Sequence, residues 1–106
     1  MNRYRIVMTK TAIRTLESAI DFVVAKRGSH RAGEVLKDKI SSAIFKLDAN
    51  PHRAPIFEEY NTLKGQEGVR KFIVGDYTVV ISIDELAKLV YIRGVYNRKQ
   101  NIKYYY

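Results

Sequence analysis

The sequence contains no cysteine, only two histidines, and no apolar run of membrane-spanning length. Without cysteine there is no disulfide and no thiolate metal site, which suits a reducing cytoplasm. A membrane helix needs about 18 consecutive apolar residues, and the N-terminus lacks the apolar stretch of a signal peptide. The glycines form neither a phosphate-binding loop nor a dinucleotide fingerprint. We therefore expect a cytoplasmic protein with no membrane partner and no cofactor.

Acidic residues are scarce, and both ends of the chain lack them altogether. The net charge is +8, from 19 Lys and Arg residues against 11 Asp and Glu residues. Residues 1–16 hold four cations, and residues 89–106 hold four cations together with five of the eight tyrosines. Interleaved cations and rings suit a nucleic acid, because cations meet phosphates while rings stack on bases. The alternative is a solvated basic terminus whose tyrosines pack onto a sheet.

The N-terminal half predicts one strand followed by two helices. Alternating side chains at Tyr4, Ile6 and Met8 indicate a short strand. Apolar residues then recur every three or four positions over 11–26 and again over 30–48, which predicts two amphipathic helices. Gly28 and Ser29 separate them, so the helices should form an antiparallel hairpin.

The C-terminal half changes to a period of two, which predicts a three-stranded meander over 69–74, 77–83 and 89–95. Residues 52–67 are expected to be mostly loop, with a short strand near Ile56–Glu58. The predicted fold is a single α+β domain over 1–106 with the order β-α-α-β-β-β. Its antiparallel sheet should carry the helical hairpin on one face.

Few residue types with catalytic chemistry are grouped in the sequence. His30 and His52 stand alone, so neither a metal site nor a hydrolase triad is expected. Glu58 and Glu59 are more consistent with a solvated acidic pair than with a carboxylate mechanism. The remaining candidates combine cations with a tyrosine: Arg70, Lys71, Arg93, Arg98, Lys99, Lys103 and Tyr104.

Four segments of the chain are informative when they are taken in order. They are Tyr4-x-Ile6…Thr9-x-x-Ala12, Asp48-Ala-Asn-Pro51, VRKFIVGDYTVVISID from Val69 to Asp84, and VYIRGVYNRKQN from Val90 to Asn101. Together they resemble the RelE/ParE superfamily of toxins from bacterial type II toxin–antitoxin modules. The resemblance covers nearly the whole chain, and it implies the fold predicted above. It also implies a cognate antitoxin as partner, with an acidic or amphipathic segment that folds on binding.

RelE-like members are ribosome-dependent mRNA endonucleases, and the resemblance carries three of their site positions onto this chain. These are Lys71, Arg98 and Tyr104, with Lys71 or Tyr104 for proton transfer and Arg98 for transition-state charge. A further arginine of the pattern falls on Thr78, which is a departure. Loss of one well-placed cation could cost on the order of 100-fold or more in rate.

ParE-like members instead bind DNA gyrase, and the long hairpin and the Arg70–Tyr77 segment favour this interpretation. Its contact surface would include the hairpin and the basic C-terminal segment. The target-binding or nucleic-acid-binding candidates are Arg70, Arg93, Arg98, Lys99 and Lys103. The alternatives are the mRNA endonuclease and a non-toxic basic domain that binds nucleic acid. None of these functions requires a metal, a cofactor or a small-molecule substrate.

Overall fold

The computed structural model of the protein describes residues 3–99. Within that range the chain forms a four-stranded sheet and three α-helices. In order, the elements are β1 (Arg5–Met8), α1 (Lys10–Arg27), α2 (His30–Phe45), α3 (Glu58–Lys64), β2 (Arg70–Val74), β3 (Tyr77–Asp84) and β4 (Leu89–Asn97). The predicted α+β class and the order of the strands and the hairpin helices are confirmed. The third helix was not predicted.

Local signals set the ends of the hairpin helices. Thr9 accepts a hydrogen bond from the Ala12 amide and caps α1. Gly28 ends α1 in the left-handed conformation at φ 61°, which glycine adopts without steric cost. Ser29 then caps α2 through the Ala32 amide. The predicted second helix to residue 48 is too long, because α2 ends at Phe45 and continues as a 3₁₀ turn over Lys46–Asp48.

The sheet has the order β1-β4-β3-β2, and its strands β2, β3 and β4 form the predicted antiparallel meander. Strand β1 pairs in parallel with β4, from Arg5 opposite Leu89 to Met8 opposite Ile92. The sheet is therefore mixed rather than wholly antiparallel. Periodicity identified β1 as a strand, but it carried no information about which partner the strand would choose.

Residues 52–67 are more ordered than the predicted loop. A 3₁₀ turn spans Pro51–Arg53, and α3 follows at Glu58–Lys64. The strand expected near Ile56–Glu58 reduces to one bridge between Ile56 and Arg70. Helix α3 is only 7 residues long, too short for a helical period to emerge from the sequence, and its anchoring contacts come from elsewhere in the chain.

Two apolar clusters hold the layers together. The larger one fills the space between the hairpin and the sheet, and it includes Ala12, Ile40, Val79, Ile81 and Ile92. The smaller one lies on the other side of the sheet, where it consists of Phe57, Tyr60, Val69, Val80 and Tyr96. Strand β3 contributes to both clusters because successive side chains point to opposite faces.

Candidate functional site

The sheet face turned away from the hairpin carries two of the predicted site residues, Lys71 and Arg93, and we call it the distal face. Val90 and Ile92 point into the hairpin core, so Tyr91 points the other way. The same alternation of side chains along each strand assigns the other residues of the distal face. The distal face comprises Arg5, Val7, Lys71, Ile73, Thr78, Val80, Ser82, Asp84, Leu89, Tyr91, Arg93 and Tyr96.

Helix α3 covers part of the distal face and is fastened there by Asn61. The Asn61 side chain donates to the Val69 carbonyl at 3.0 Å and accepts from the Val69 amide at 3.3 Å. The Phe57 amide donates to the same Val69 carbonyl at 2.8 Å. These hydrogen bonds resemble those between paired strands and involve the residue just before β2. They hold Phe57 and Tyr60 over Val80.

Lys71 lies on the distal face with its ammonium over an aromatic ring. Its Nζ is 4.4 Å from the centroid of Phe57, and the side chain is half-buried. Such a cation–π contact contributes about 0.5–2 kcal/mol, depending on its exposure. Lys71 is thus held against α3 and not directed toward the end of β4.

Arg93 lies within β4, and this strand extends to Asn97 rather than ending at Val95. The register shifts between Val80 and Ile81, which pair with Gly94 and Ile92. Arg93 is the extra residue of this bulge. Its guanidinium donates to Gln66 Oε1 at 3.1 Å and to the Tyr60 hydroxyl at 3.4 Å.

Arg70 has an internal role that the sequence did not suggest. Its guanidinium donates to the Ala54 carbonyl at 2.7 Å and to the His52 carbonyl at 3.3 Å. These bonds tie the segment after Pro51 to the start of β2. The structure places Arg70 and Lys71 on opposite faces, as strand geometry predicts.

Arg98 and Lys99 follow β4 in a tight turn. The Lys99 amide donates to Asn97 Oδ1 at 3.0 Å, and the Arg98 amide donates to the Asp76 carbonyl at 2.8 Å. Both side chains are exposed. Lys71 pairs with Val80, and the Arg98 amide contacts Asp76, which lies four residues before Val80. The backbones at Lys71 and Arg98 are therefore separated by about 13 Å along the strands. Lys103 and Tyr104 lie outside the described residues.

The ring of Tyr77 lies beside this turn, on the hairpin side. Burial raises the pKa of the Tyr77 hydroxyl, and the nearby Asp76 carboxylate raises it further. A hydrogen bond with Asn97 acts in the opposite direction. Tyr77 is therefore neutral at physiological pH and serves as a packing residue of the core.

Thr78 occupies the position where the nuclease pattern has an arginine. Its side chain is 5% exposed, and its strand partners are Ile73 and Tyr96. A buried hydroxyl there supplies no charge to a phosphate. Among the described residues, the structure does not bring a second cation of the nuclease pattern next to Arg98.

A group of polar residues at the opposite end of the sheet was missed by sequence reasoning. Glu85 accepts a hydrogen bond from the Tyr4 hydroxyl at 2.8 Å, pairs with His52, and lies 3.5 Å from Lys88 Nζ. Lys88 also lies 5.0 Å from the Tyr4 ring centroid. We call Tyr4, His52, Glu85 and Lys88 the Glu85 cluster. His52 was predicted to stand alone, and its pairing with Glu85 corrects that.

The Glu85 cluster shifts the pKa values of two of its members, Glu85 and Lys88. The hydrogen bond from Tyr4 is the largest influence lowering the pKa of Glu85, with His52 and Lys88 acting in the same direction. The contact with Tyr4 is also the main cause that raises the pKa of Lys88. Both residues therefore stay charged at physiological pH, and the cluster links the start of β1, the Pro51–Arg53 turn and the β3–β4 turn.

The hairpin presents four large apolar side chains to solvent, Ile13, Phe22, Val35 and Phe45, and two of them share one end. Because the helices are antiparallel, Ile13 near the start of α1 and Phe45 at the end of α2 lie at the same end. Their exposed fractions are 45% and 67%. We call this pair the hairpin patch. Exposed cations lie around it at Lys10, Arg14 and Lys46.

Within residues 3–99, no group of three or more His, Cys, Asp or Glu side chains is placed to hold a metal ion. In that same range, no helix has both the length and the apolar character required to cross a membrane.

Comparison with known proteins identifies one family and several similar structures, two of which are described below. The family model of the ParE toxin of the type II toxin–antitoxin system parDE matches residues 6–102. Among curated proteins, none matches the chain. The fold is similar to the toxin–antitoxin complex RelBE2 of Mycobacterium tuberculosis, with a TM-score of 0.61, 23% identity, and coverage of 91% of this chain and 99% of the other.

A second similar structure is the chromosomal ParDE toxin–antitoxin system of P. aeruginosa. The TM-score is 0.73 at 16% identity, and the match covers 92% of this chain and 98% of the other. At these identities the likeness of the two structures concerns the fold. The nearly full coverage of both chains shows that the whole described domain shares it.

Proposed function

The chain belongs to the ParE toxin family of type II toxin–antitoxin systems, and we propose that it inhibits bacterial growth by binding DNA gyrase. The match of the family model across residues 6–102 is the observation that carries this proposal. It favours the ParE-like interpretation over the RelE-like one. Because gyrase acts on chromosomal DNA, the proposal also places the protein in the cytoplasm.

The arrangement of the nuclease-pattern residues supports the same choice. Thr78 is buried in the sheet, and Lys71 is held over Phe57. Within residues 3–99, Arg98 is therefore left without the cations that the nuclease pattern would bring beside it to share the charge of a phosphorane transition state. A toxin that acts by binding a protein needs no such set of cations.

The hairpin patch is the proposed centre of the gyrase contact. Protein interfaces are commonly dominated by a few large side chains that fill pockets on the partner. Phe45 is the most exposed side chain of the patch at 67%. The surrounding cations would speed encounter with an acidic surface. The basic segment after β4, with Arg98 and Lys99, would extend the contact.

A supercoiling assay with purified protein and gyrase tests this proposal. We expect inhibition by the wild-type protein and about 10-fold weaker inhibition by Phe45→Ser, because hot-spot truncations typically cost 1–2 kcal/mol or more. Leu86→Ser is the matched control, since Leu86 is 99% exposed in the β3–β4 turn away from the hairpin. Failure of the wild-type protein to inhibit gyrase would exclude gyrase as the target. An equal loss of inhibition in Leu86→Ser would exclude the hairpin patch as the contact surface.

The RelE-like endonuclease is the second candidate function. Its support is the exposed Arg98, which has no ion pair among the described residues. Transcript mapping after induction distinguishes it from gyrase binding. Cleaved messages that disappear in Arg98→Ala and Tyr104→Phe would favour the nuclease. Growth unaffected by expression without an antitoxin would instead favour a non-toxic basic domain.

Because the protein is a toxin of a type II system, its partner is a cognate antitoxin. We propose that the antitoxin contributes an acidic, amphipathic segment that folds on the hairpin patch. Its apolar side chains would cover Ile13 and Phe45. Its carboxylates would face Lys10, Arg14 and Lys46. Neutralisation would then follow from direct competition for the surface that meets gyrase.

A further inference from the structure

Part of the distal face lies beyond the side chains of α3 and is unused by the proposed function. Strand β1 places Arg5 and Val7 on this face, because Ile6 and Met8 pack into the hairpin core. Their partners on β4 are Leu89 and Tyr91. Tyr91 and Val7 are half-buried, and Arg5 is exposed.

The register places two arginines on either side of the Tyr91 ring. Arg5 pairs with Leu89, one row before Tyr91, and Arg93 lies one row beyond it. Rows on one face of a strand are separated by about 7 Å. In three successive rows, the distal face therefore presents a cation on β1, an aromatic ring on β4 and a second cation on β4.

The three rows around Tyr91 hold more cations than acidic residues, with Arg5, Lys71 and Arg93 against Asp84. Arg5 makes no ion pair within the described part of the chain. Arg93 is positioned in part by hydrogen bonds to Gln66 and Tyr60. Asp84 lies in the row of Arg5, beyond Leu89, and its carboxylate accepts the Ala87 amide at 3.0 Å.

We propose that Arg5, Tyr91 and Arg93 bind single-stranded nucleic acid across the distal face. A base stacks on the Tyr91 ring, and the flanking phosphates lie against the two guanidinium groups. Sheet faces with exposed aromatic residues bind unpaired bases in this way, since every base offers a π-face. The site lies on the side of the sheet opposite the hairpin, so it is independent of gyrase or antitoxin binding.

The nucleic acid must be single-stranded, because a duplex keeps its bases stacked inside. Only unpaired bases expose a face to a tyrosine ring, whereas duplex binding would rest on phosphate contacts alone. The neutral neighbours of Tyr91 in its row, Val7 and Ser82, suit the apolar face of a base. Preference for single strands over duplex is therefore the signature of this site.

Fluorescence anisotropy with labelled oligo(dT) and oligo(rU) tests the proposal on the purified full chain. We expect both oligonucleotides to bind more tightly than a duplex of the same length, with affinity that falls as salt rises. Tyr91→Leu should weaken binding roughly 10-fold, because it keeps an apolar side chain but removes the ring, and Tyr91→Phe should bind as wild type.

Charge is tested by a matched pair of substitutions. Arg5→Gln should weaken binding and reduce the salt slope by about 0.7, the value for one phosphate contact to a single strand. Arg31→Gln removes the same charge from the exposed side of α2 and should have little effect. Equal affinity for duplex, wild-type binding by Tyr91→Leu, or equal losses in Arg5→Gln and Arg31→Gln would each overturn the site. Thermal unfolding of each variant confirms that it is folded.

Discussion

At the scale of single residues, Glu85 shows how contacts distant in sequence set the chemistry of a side chain. Its carboxylate joins Tyr4, which lies 81 residues earlier, to His52 and Lys88. The cluster is partly exposed, so its ion pairs are screened and individually weak. Its main effect is to fix three chain segments relative to one another at one end of the sheet.

The lowered pKa of Glu85 predicts a stability that depends on pH. The folded-state pKa lies below the ordinary value of 4.5, mainly because Tyr4 donates a hydrogen bond to the charged form. The stabilisation is thus complete above about pH 4.5 and is lost as the pH falls through the folded-state pKa. We expect Glu85→Gln to lower the melting temperature near neutral pH, with a difference from wild type that shrinks in acid.

Melting temperatures measured between about pH 3 and pH 7 check this expectation. Tyr4→Phe should reproduce part of the effect, since it removes the hydrogen bond but keeps the ring beside Lys88. Glu34→Gln, an exposed carboxylate on α2, is the control that should leave the pH profile unchanged. A profile in Glu85→Gln that runs parallel to wild type would mean that ionisation of Glu85 contributes nothing to the pH dependence of stability.

Residue roles were predictable where the signal was local. The break between the hairpin helices at Gly28 and Ser29 followed from its position between the two helical periods. The internal role of Arg70 and the pairing of His52 did not, because both depend on how the Pro51–Arg53 turn folds back onto the sheet. Arg98 is exposed, and its role as a site residue stays a prediction.

At the scale of elements, the closeness of the two hairpin helices depends on Gly33. A Cβ at this position would lie 2.6 Å from Val24 Cγ2 and 3.0 Å from Ile20 Cγ2, both of which belong to α1. The helices would therefore have to separate to accept any larger residue. Periodicity predicted the hairpin, yet it could not show that one glycine sets the distance between its helices.

Gly33→Ala should destabilise the protein despite the better helix propensity of alanine. The substitution gains about 0.5–1 kcal/mol of propensity, whereas overpacking costs typically 1–3 kcal/mol. We expect a net loss of roughly 1 kcal/mol in urea unfolding. Ser42→Ala, on the exposed side of the same helix, is the control and should be neutral or slightly stabilising. A stability gain in Gly33→Ala would show that the helices separate at little cost.

Features of the fold were predictable where their residues are contiguous in sequence and were not where they depend on tertiary contacts. The meander was predictable because its alternating residues and the Gly75-Asp76 turn are contiguous in sequence. Helix α3 owes its place to the bonds between Asn61 and Val69 and to burial of Tyr60, all of which are tertiary contacts. The distal face likewise became visible only once β1 was known to lie beside β4.

At the scale of the whole molecule, the net charge of +8 bears on association more than on folding. The hairpin patch and the distal face lie on opposite sides of the sheet, and each has cations near it. Two partners of negative charge could thus be bound without competing for the same surface. In the proposed complex, the antitoxin meets the hairpin patch and the cations at Lys10, Arg14 and Lys46.

Association with the antitoxin should therefore be steered by charge. We expect the association rate measured by stopped flow to fall about 10-fold or more between about 50 and 500 mM salt, because screening shortens the range of attraction. The dissociation rate should change less, since it depends on the buried contacts of Ile13 and Phe45. Lys10→Gln with Arg14→Gln should slow association and flatten its salt dependence, whereas Lys99→Gln, beyond β4, should do neither. An association rate that ignores ionic strength would place the antitoxin on a surface other than the cation-rimmed hairpin patch.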